Sequence, residues 1–225
     1  MISILKSTIV VCALSVLCQT ALGDVFDISL DTASLVGHPA GPFYVYVEFT
    51  DGSGVGDANN TATLSNFTFG GGSALGNPLV FGGAAGSLEA GVSITDTSFV
   101  SVFGEQFAPG LQLSFTLGLT SNDDSGGTPD GVTLFLLDNS GVPIPTLAPA
   151  GDYFLTAGLG SGGTVFVEYG SDPSRAPSSG DPVSVPAPTI TPESSVPEPS
   201  TLCLLGGAVF AMAVLKNRFR RSSAR

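Results

Sequence analysis

Alternating apolar and polar residues dominate the middle of the chain. The clearest case is residues 111–120, where leucine or phenylalanine occupies every second position between glutamine, serine, threonine and glycine. A period of two places one face of a strand in a core and the other in water. Residues 26–31 alternate in the same way, and residues 42–50 are rich in aromatic and β-branched residues. These three segments are therefore predicted to be strands.

Further segments have the composition of short strands, and runs rich in Gly, Asn, Asp and Pro separate them. The predicted strands are residues 62–69, 87–95, 99–103, 132–137, 153–157 and 164–169. The turn-rich runs are residues 51–60, 70–77, 82–86, 121–130 and 139–150. About nine short strands predict an all-β protein with a single antiparallel β-sandwich over residues 24–171, with both an Ig-like and a jelly-roll topology open.

The first 23 residues have the pattern of a secretory signal peptide. Lys6 precedes an apolar run at residues 8–17, and small residues at 21 and 23 predict cleavage by the secretion machinery between Gly23 and Asp24. The apolar run is far shorter than the ~20 residues that a transmembrane helix needs. The chain is therefore expected to be exported.

The C-terminal part begins with a proline-rich stretch. Residues 172–199 contain eight prolines and no apolar period, so residues 172–196 are predicted to be an extended Pro/Ser-rich linker. The apolar residues 201–215 follow, and as a helix they would span about 22 Å. The hydrocarbon core of a bilayer is ~30 Å thick. This mismatch favours a short transmembrane helix that is held only until the tail is processed.

Residues 197–225 combine three local features in a fixed order. A Pro-Glu-Pro triplet precedes the apolar segment, and a basic tail, residues 216–225, follows it. The residues concerned are Pro197, Glu198, Pro199, Lys216, Arg218, Arg220 and Arg221. Basic residues beside a span stay on the cytoplasmic side, which leaves the rest of the chain outside.

This arrangement resembles the PEP-CTERM sorting signal. The resemblance implies recognition by an exosortase-like membrane enzyme of Gram-negative bacteria that make exopolysaccharide and biofilm. It also implies a precursor held transiently in the inner membrane, followed by processing and display at the cell surface or in the extracellular matrix. Residues 59–72, 113–120, 127–138 and 169–175 resemble an uncharacterised family of PEP-CTERM proteins. That second resemblance implies export and one β domain, and no activity.

Charge and cysteine are distributed by segment. All nineteen acidic residues lie between residues 24 and 199, where Arg175 is the only Lys or Arg, so this stretch carries a net charge of −18 with histidine neutral. Such a field repels nucleic acid and anionic lipid, which excludes nucleic-acid binding. The cysteines Cys12, Cys18 and Cys203 all lie in the terminal apolar segments. The exported domain therefore has neither a disulfide nor a thiolate metal site.

Acidic, glycine-rich loops are the candidates for a metal site. Asp51 and Asp57 lie six residues apart around one such loop. A second group contains Asp123, Asp124 and Asp130. Calcium takes oxygen ligands, which carboxylates and free carbonyls supply. The alternative interpretation is that these are solvated turn residues and that the protein needs no cofactor.

Residues for catalysis are few, and we expect a non-enzymatic protein. His38 is the single histidine and lies in a turn-like sequence, and there is no Gly-x-Ser-x-Gly nucleophile motif. A glycoside hydrolase needs only two carboxyl groups, but no pair is singled out. Carbohydrate binding is a further alternative, with extracellular polysaccharide as the partner. Its candidate rings are Tyr44, Tyr46, Tyr153 and Tyr169.

Overall fold

The computed structural model describes residues 23–193, except residues 123–127, 161 and 179. These residues form twelve strands and one short 3-10 helix, Ala33–Leu35. The strands are β1 (Gly23–Asp31), β2 (Phe43–Thr50), β3 (Thr61–Thr68), β4 (Ser73–Phe81), β5 (Gly83–Ser87), β6 (Gly91–Thr95), β7 (Val100–Ala108), β8 (Gln112–Thr120), β9 (Asp130–Leu137), β10 (Leu155–Gly160), β11 (Gly163–Glu168) and β12 (Thr189–Pro192).

The strands pack as two antiparallel sheets, which confirms the predicted β-sandwich. The first sheet has the order β12-β1-β8-β3-β6-β5, and the second has the order β11-β10-β9-β2-β7-β4. Successive strands therefore mostly alternate between the sheets. The interleaved orders β1-β8-β3-β6 and β2-β7-β4 are typical of a jelly roll, which decides between the two topologies that the sequence left open.

Alternation along the central strands builds the core between the sheets. Every second residue of β2 is buried, and its neighbours are partly exposed; the buried ones are Phe43, Val45, Val47 and Phe49. β8 faces them from the other sheet with Leu113, Phe115, Leu117 and Leu119. Full burial of one such side chain stabilises a fold by about 1.5–3 kcal/mol. The sequence pattern of these strands is thus also the pattern of their burial.

Two strands lie where the sequence predicts turns. β4 includes Gly76, Asn77 and Pro78, and the register of its pairing with β7 shifts at two places. Gly76 and Asn77 have φ of 76° and 60°. β5, which is largely glycine and alanine, pairs with β6. Both are edge strands, where bulges and proline are tolerated because one side needs no ladder.

The predicted linker is wrong over residues 172–193. Val183 and Val185 are 3% and 2% exposed and belong to the core. β12 pairs with β1, and the N–H of Glu193 donates to the carbonyl of Val25 at 2.8 Å. The compact unit accordingly extends from Gly23 to Glu193. A proline-rich segment can pack in this way because β12 is an edge strand. A proline in such a strand, here Pro192, lacks an N–H group but does not leave a gap in a ladder on the open side of the sheet.

Several predicted segments lie outside the described residues. They are the signal peptide up to residue 22, the transmembrane helix at 201–215, and the sorting triplet and basic tail. Within the described part of the chain, no helix is long and apolar enough to cross a membrane. The predicted cleavage site lies at the start of β1, where Gly23 and Asp24 pair with Thr120 and Leu119.

Candidate functional site

The loop after β2 and the loop before β9 meet at one end of the sandwich. Asp130, the first residue of β9, accepts the N–H of Gly52 at 2.7 Å. It also accepts a hydrogen bond from Asn60 Nδ2 at 2.8 Å. Asn60 Oδ1 in turn accepts the N–H of Asn122 at 2.7 Å. The buried Asn60 side chain therefore joins the two acidic loops that the sequence indicated separately.

Three carboxylates come together beside these loops. One oxygen from each of Asp51, Asp57 and Asp96 lies within 4.8 Å of the other two. Asp51 and Asp96 are buried, and Asp57 is exposed. Asp51 and Asp57 are predicted ligands, whereas sequence reasoning missed Asp96, which directly follows β6. The site thus contains two predicted residues and one that only the fold brings close.

Asp51 is held by its own loop. Its Oδ1 accepts hydrogen bonds from the N–H of Gly54 and the hydroxyl of Ser53, both at 2.7 Å. Its Oδ2 accepts the N–H of Asp57 at 3.2 Å. Burial acts to raise the pKa of Asp51, but these hydrogen bonds outweigh burial and lower it. The Asp51 carboxylate is therefore charged at neutral pH.

The buried carboxylate of Asp96 receives fewer hydrogen bonds than that of Asp51. Its side chain is fully buried, and its Oδ2 accepts the N–H of Asn60 at 3.0 Å. Its Oδ1 has no hydrogen-bond partner among the described residues. Burial raises the pKa of Asp96 to about 6, and repulsion by Asp130 and Asp57 adds to the rise. A buried acceptor without a partner costs free energy of folding. A ligand that bound this oxygen would remove that cost.

A glycine in the loop after β2 allows this loop to approach the end of β6. Gly56 has φ of +73°, and a Cβ built on it would lie 2.6 Å from the carbonyl carbon of Thr97. Real Cβ atoms do not come this close to backbone, and positive φ also favours glycine. Because Asp57 follows Gly56 and Asp96 precedes Thr97, this contact brings the two carboxylates together.

The second predicted group contributes differently. Asp130 uses both carboxylate oxygens to bind Gly52 and Asn60, and it is not one of the three clustered residues. It therefore positions the loops. Asp123 and Asp124 lie outside the described residues.

The single histidine contacts backbone on both sides of its ring. Its Nδ1 accepts the N–H of Ala40 at 3.2 Å, and its Nε2 lies 2.9 Å from the carbonyl oxygen of Asp181. Since Nδ1 is an acceptor, the ring proton is assigned to Nε2, which donates to that carbonyl. His38 thus fastens the segment after β11 to the loop before β2.

A row of aromatic rings crosses the outer face of the second sheet. Tyr46 packs edge-to-face on Phe135, with ring centres 5.9 Å apart. The row continues to Tyr153 at 6.4 Å and from there to Tyr169 at 5.6 Å, again edge-to-face. All four side chains are partly exposed, as is Tyr44 on the same face of β2. The tyrosines of β2 therefore face outward, while the alternate residues of this strand are buried.

Comparison with known proteins identifies the C-terminal region. Residues 195–221 match the family described as the PEP-CTERM protein-sorting motif. No curated protein matches the chain, and no solved structure matches it. This match confirms the predicted resemblance to the PEP-CTERM sorting signal. The predicted sorting triplet and basic cluster lie within the matched residues.

The chain therefore carries a PEP-CTERM protein-sorting motif at residues 195–221. The motif marks an exported protein whose membrane-anchored precursor is sorted to the cell surface by exosortase. It covers none of residues 23–193, so it describes the route of the protein and not the activity of the sandwich.

Proposed function

We propose that this protein is a non-enzymatic module of the cell surface or extracellular matrix, freed from its membrane tail by an exosortase-like enzyme. The observation that carries the proposal is the order of the chain. A compact unit ends at Glu193, and the sorting motif begins at residue 195. Removal of the motif therefore leaves the sandwich complete.

The sequence separation between the end of the folded unit and the sorting triplet defines the product of cleavage by such an enzyme. The N–H of Glu193 is bonded to the carbonyl of Val25. Pro197 lies four residues further along the chain. Cleavage at or after Pro197 removes none of the twelve described strands. Processing within the motif is thus compatible with a folded product.

The chemistry of the sandwich supports a role in binding or structure rather than catalysis. The ring nitrogens of His38 both contact backbone. Arg175, the only Lys or Arg between residues 24 and 199, donates to Asp152 through two nitrogens at 2.9 and 3.1 Å. A strongly negative surface keeps copies of the protein soluble and apart. These features suit a secreted module that acts by binding or as a structural component.

Mass spectrometry of the protein recovered from its host tests this proposal. We expect a mature chain that begins at Asp24, ends near residues 197–201, and occurs in the surface or medium fraction. The variant Glu198→Ala should retain its tail and stay in the inner membrane. The matched control Glu193→Ala, outside the motif, should be processed normally. A native surface form that retains Arg225 would contradict the processing step, and release of sugar from polysaccharides would contradict the non-enzymatic assignment.

The aromatic row favours polysaccharide binding as a second candidate function. Its three tyrosines each offer an apolar ring and a polar hydroxyl, a combination suited to sugar rings and their hydroxyls. Burial raises the pKa of Tyr46, and the charge of Glu48 raises it further, so the phenol stays neutral. Glu48 shares the outward face of β2 with Tyr46, which favours neutral over anionic polymers.

A glycan array provides the test. Neutral glycans should bind the native protein, and Tyr153→Ala should weaken that binding at least ~10-fold, the size of one lost ring contact. Phe99→Ala is the control, because Phe99 is 54% exposed and outside the row. An array without hits, or equal binding by both variants, would rule this candidate out.

A further inference from the structure

We propose that Asp51, Asp57 and Asp96 form a calcium site that links the two sheets at one end of the sandwich. This inference goes beyond the sorting and display of the protein. The three carboxylates offer oxygens within 4.8 Å of one another. Two oxygens on one calcium ion, each 2.3–2.6 Å from it, are at most about 5 Å apart. The carboxylates therefore need little movement to share one ion.

A second observation points to a ligand independently of the cluster. Asp96 Oδ1 is completely buried and has no hydrogen-bond partner among the described residues. The other oxygen of Asp96 is already used by the N–H of Asn60. A buried carboxylate oxygen is costly unless a donor or a cation meets it. A bound cation supplies the partner that the protein itself does not.

The charge around the cluster also requires compensation. Asp130 lies beside it and contributes a fourth negative charge, whose repulsion acts on Asp96. Arg175 is the only Lys or Arg in residues 23–193, and it forms an ion pair with Asp152. A metal ion is thus the natural source of positive charge at this end of the domain.

The type and spacing of the donors favour calcium over other ions. The three clustered donors are carboxylate oxygens, which hard cations prefer, whereas zinc prefers nitrogen and sulfur. All three cysteines lie outside residues 23–193, and His38 contacts Asp181. Two oxygens on one magnesium ion, at 2.0–2.1 Å from it, are at most about 4.2 Å apart. Calcium, the larger ion, accommodates separations of up to 4.8 Å, the bound that holds for the three carboxylates.

The position of the site gives the ion a structural role. Asp51 directly follows β2 of the second sheet, and Asp96 directly follows β6 of the first. An ion bound to both carboxylates connects the sheets through ligand bonds. The exported domain has no cysteine for a disulfide, so calcium would serve as its cross-link outside the cell.

Calorimetry and thermal unfolding test the site. The protein purified from its host is first treated with EDTA and then titrated with calcium chloride. We expect binding at one site with Kd of about 10⁻⁴–10⁻³ M, the range of extracellular calcium modules. Calcium at 100 times Kd should raise Tm by about 5–10 °C. Magnesium chloride at the same concentration should raise it much less.

Three variants separate this site from nonspecific charge effects. Asp96→Asn should abolish the calcium-dependent rise in Tm, yet raise Tm in EDTA, because it removes a buried charge and keeps an acceptor for Asn60. Asp57→Asn changes an exposed residue and should weaken calcium binding at least ~10-fold, since a ligand charge is lost. The control Asp27→Asn removes an exposed charge on β1 and should change neither property.

Two results would overturn the proposal. One is a native protein that shows neither binding heat nor a Tm rise at 10 mM calcium, about ten times the weakest Kd expected. The other is an Asp96→Asn variant, folded by circular dichroism, that binds calcium with native affinity.

Discussion

Asp138 binds Ser178 across forty residues of sequence and holds the C-terminal segment on the sandwich. Asp138 Oδ2 accepts the N–H of Ser178 at 3.1 Å and also its hydroxyl. Asp138 Oδ1 accepts the N–H groups of Ser140 and Val142 at 2.8 and 3.0 Å. One fully buried carboxylate therefore closes the turn after β9 and fastens a segment that the sequence predicts as linker.

Replacement of this carboxylate should be strongly destabilising. Asp138→Ala leaves several donors without their acceptor, and we expect the free energy of unfolding to fall by about 2–4 kcal/mol. Ser178→Ala is the matched variant on the other side of the contact. It removes only one hydroxyl donor and should cost about 1 kcal/mol. Urea denaturation measures both, and equal losses would contradict a central role for Asp138.

Acid should remove the same stabilisation. Burial acts to raise the pKa of Asp138, but hydrogen bonds from Ser178, Val142 and Ser140 outweigh it and lower the pKa. A carboxyl group with a lower pKa in the folded state stabilises the fold above its unfolded pKa of about 3.9. That contribution is lost as the pH falls through the folded pKa. Urea denaturation between about pH 5 and 2 should show a steeper decline for the native protein than for Asp138→Asn, and parallel curves would exclude this origin.

Two truncations test the corrected domain boundary. A chain that stops after residue 171 lacks Val183 and Val185, both buried, and also lacks β12. Their burial alone contributes about 3–6 kcal/mol, a large part of the stability of an ordinary domain. We expect this chain to unfold at much lower temperature, or to aggregate. A chain that stops after Glu193 is the control, and calorimetry should give it the Tm of the longer protein.

Alanine substitutions at two glycines of one loop distinguish the cost of backbone strain from the cost of a steric clash. Gly54 and Gly56 have φ of +80° and +73°, so alanine costs about 1–2 kcal/mol at either position. At Gly56 the added Cβ would also meet Thr97 at 2.6 Å, whereas at Gly54 the nearest atom is Phe99 Cδ2 at 4.0 Å. Gly56→Ala should therefore destabilise by a further ~1–3 kcal/mol in chemical denaturation. Equal effects would show that the loop does not depend on this contact.

Strands could be predicted wherever their own pattern buries one face. In β8, Leu113 and Phe115 alternate with polar residues and are buried as expected. β4 could not be predicted, because Gly76, Asn77 and Pro78 favour a turn locally. Pairing with β7 at the edge of the sheet overrides that preference through two register shifts.

The candidate site could be predicted only in part, for a similar reason. Asp51 and Asp57 share one glycine-rich loop, so their proximity is visible in the sequence. Asp96 stands between two threonines, far along the chain, and its only signal is a carboxylate directly after an apolar strand. Its proximity to Asp51 depends on how the two sheets pack.

The sequence by itself determined the route of this protein, because a sorting motif is read as a linear segment whose triplet, apolar run and basic residues are neighbours in the chain. It also determined the β-sandwich class, because alternation within one strand is a local property. Only the tertiary structure decided that the domain reaches Glu193 and that Asp96 joins Asp51 and Asp57. Burial and carboxylate clustering arise between residues distant in the chain, so no local pattern contains them.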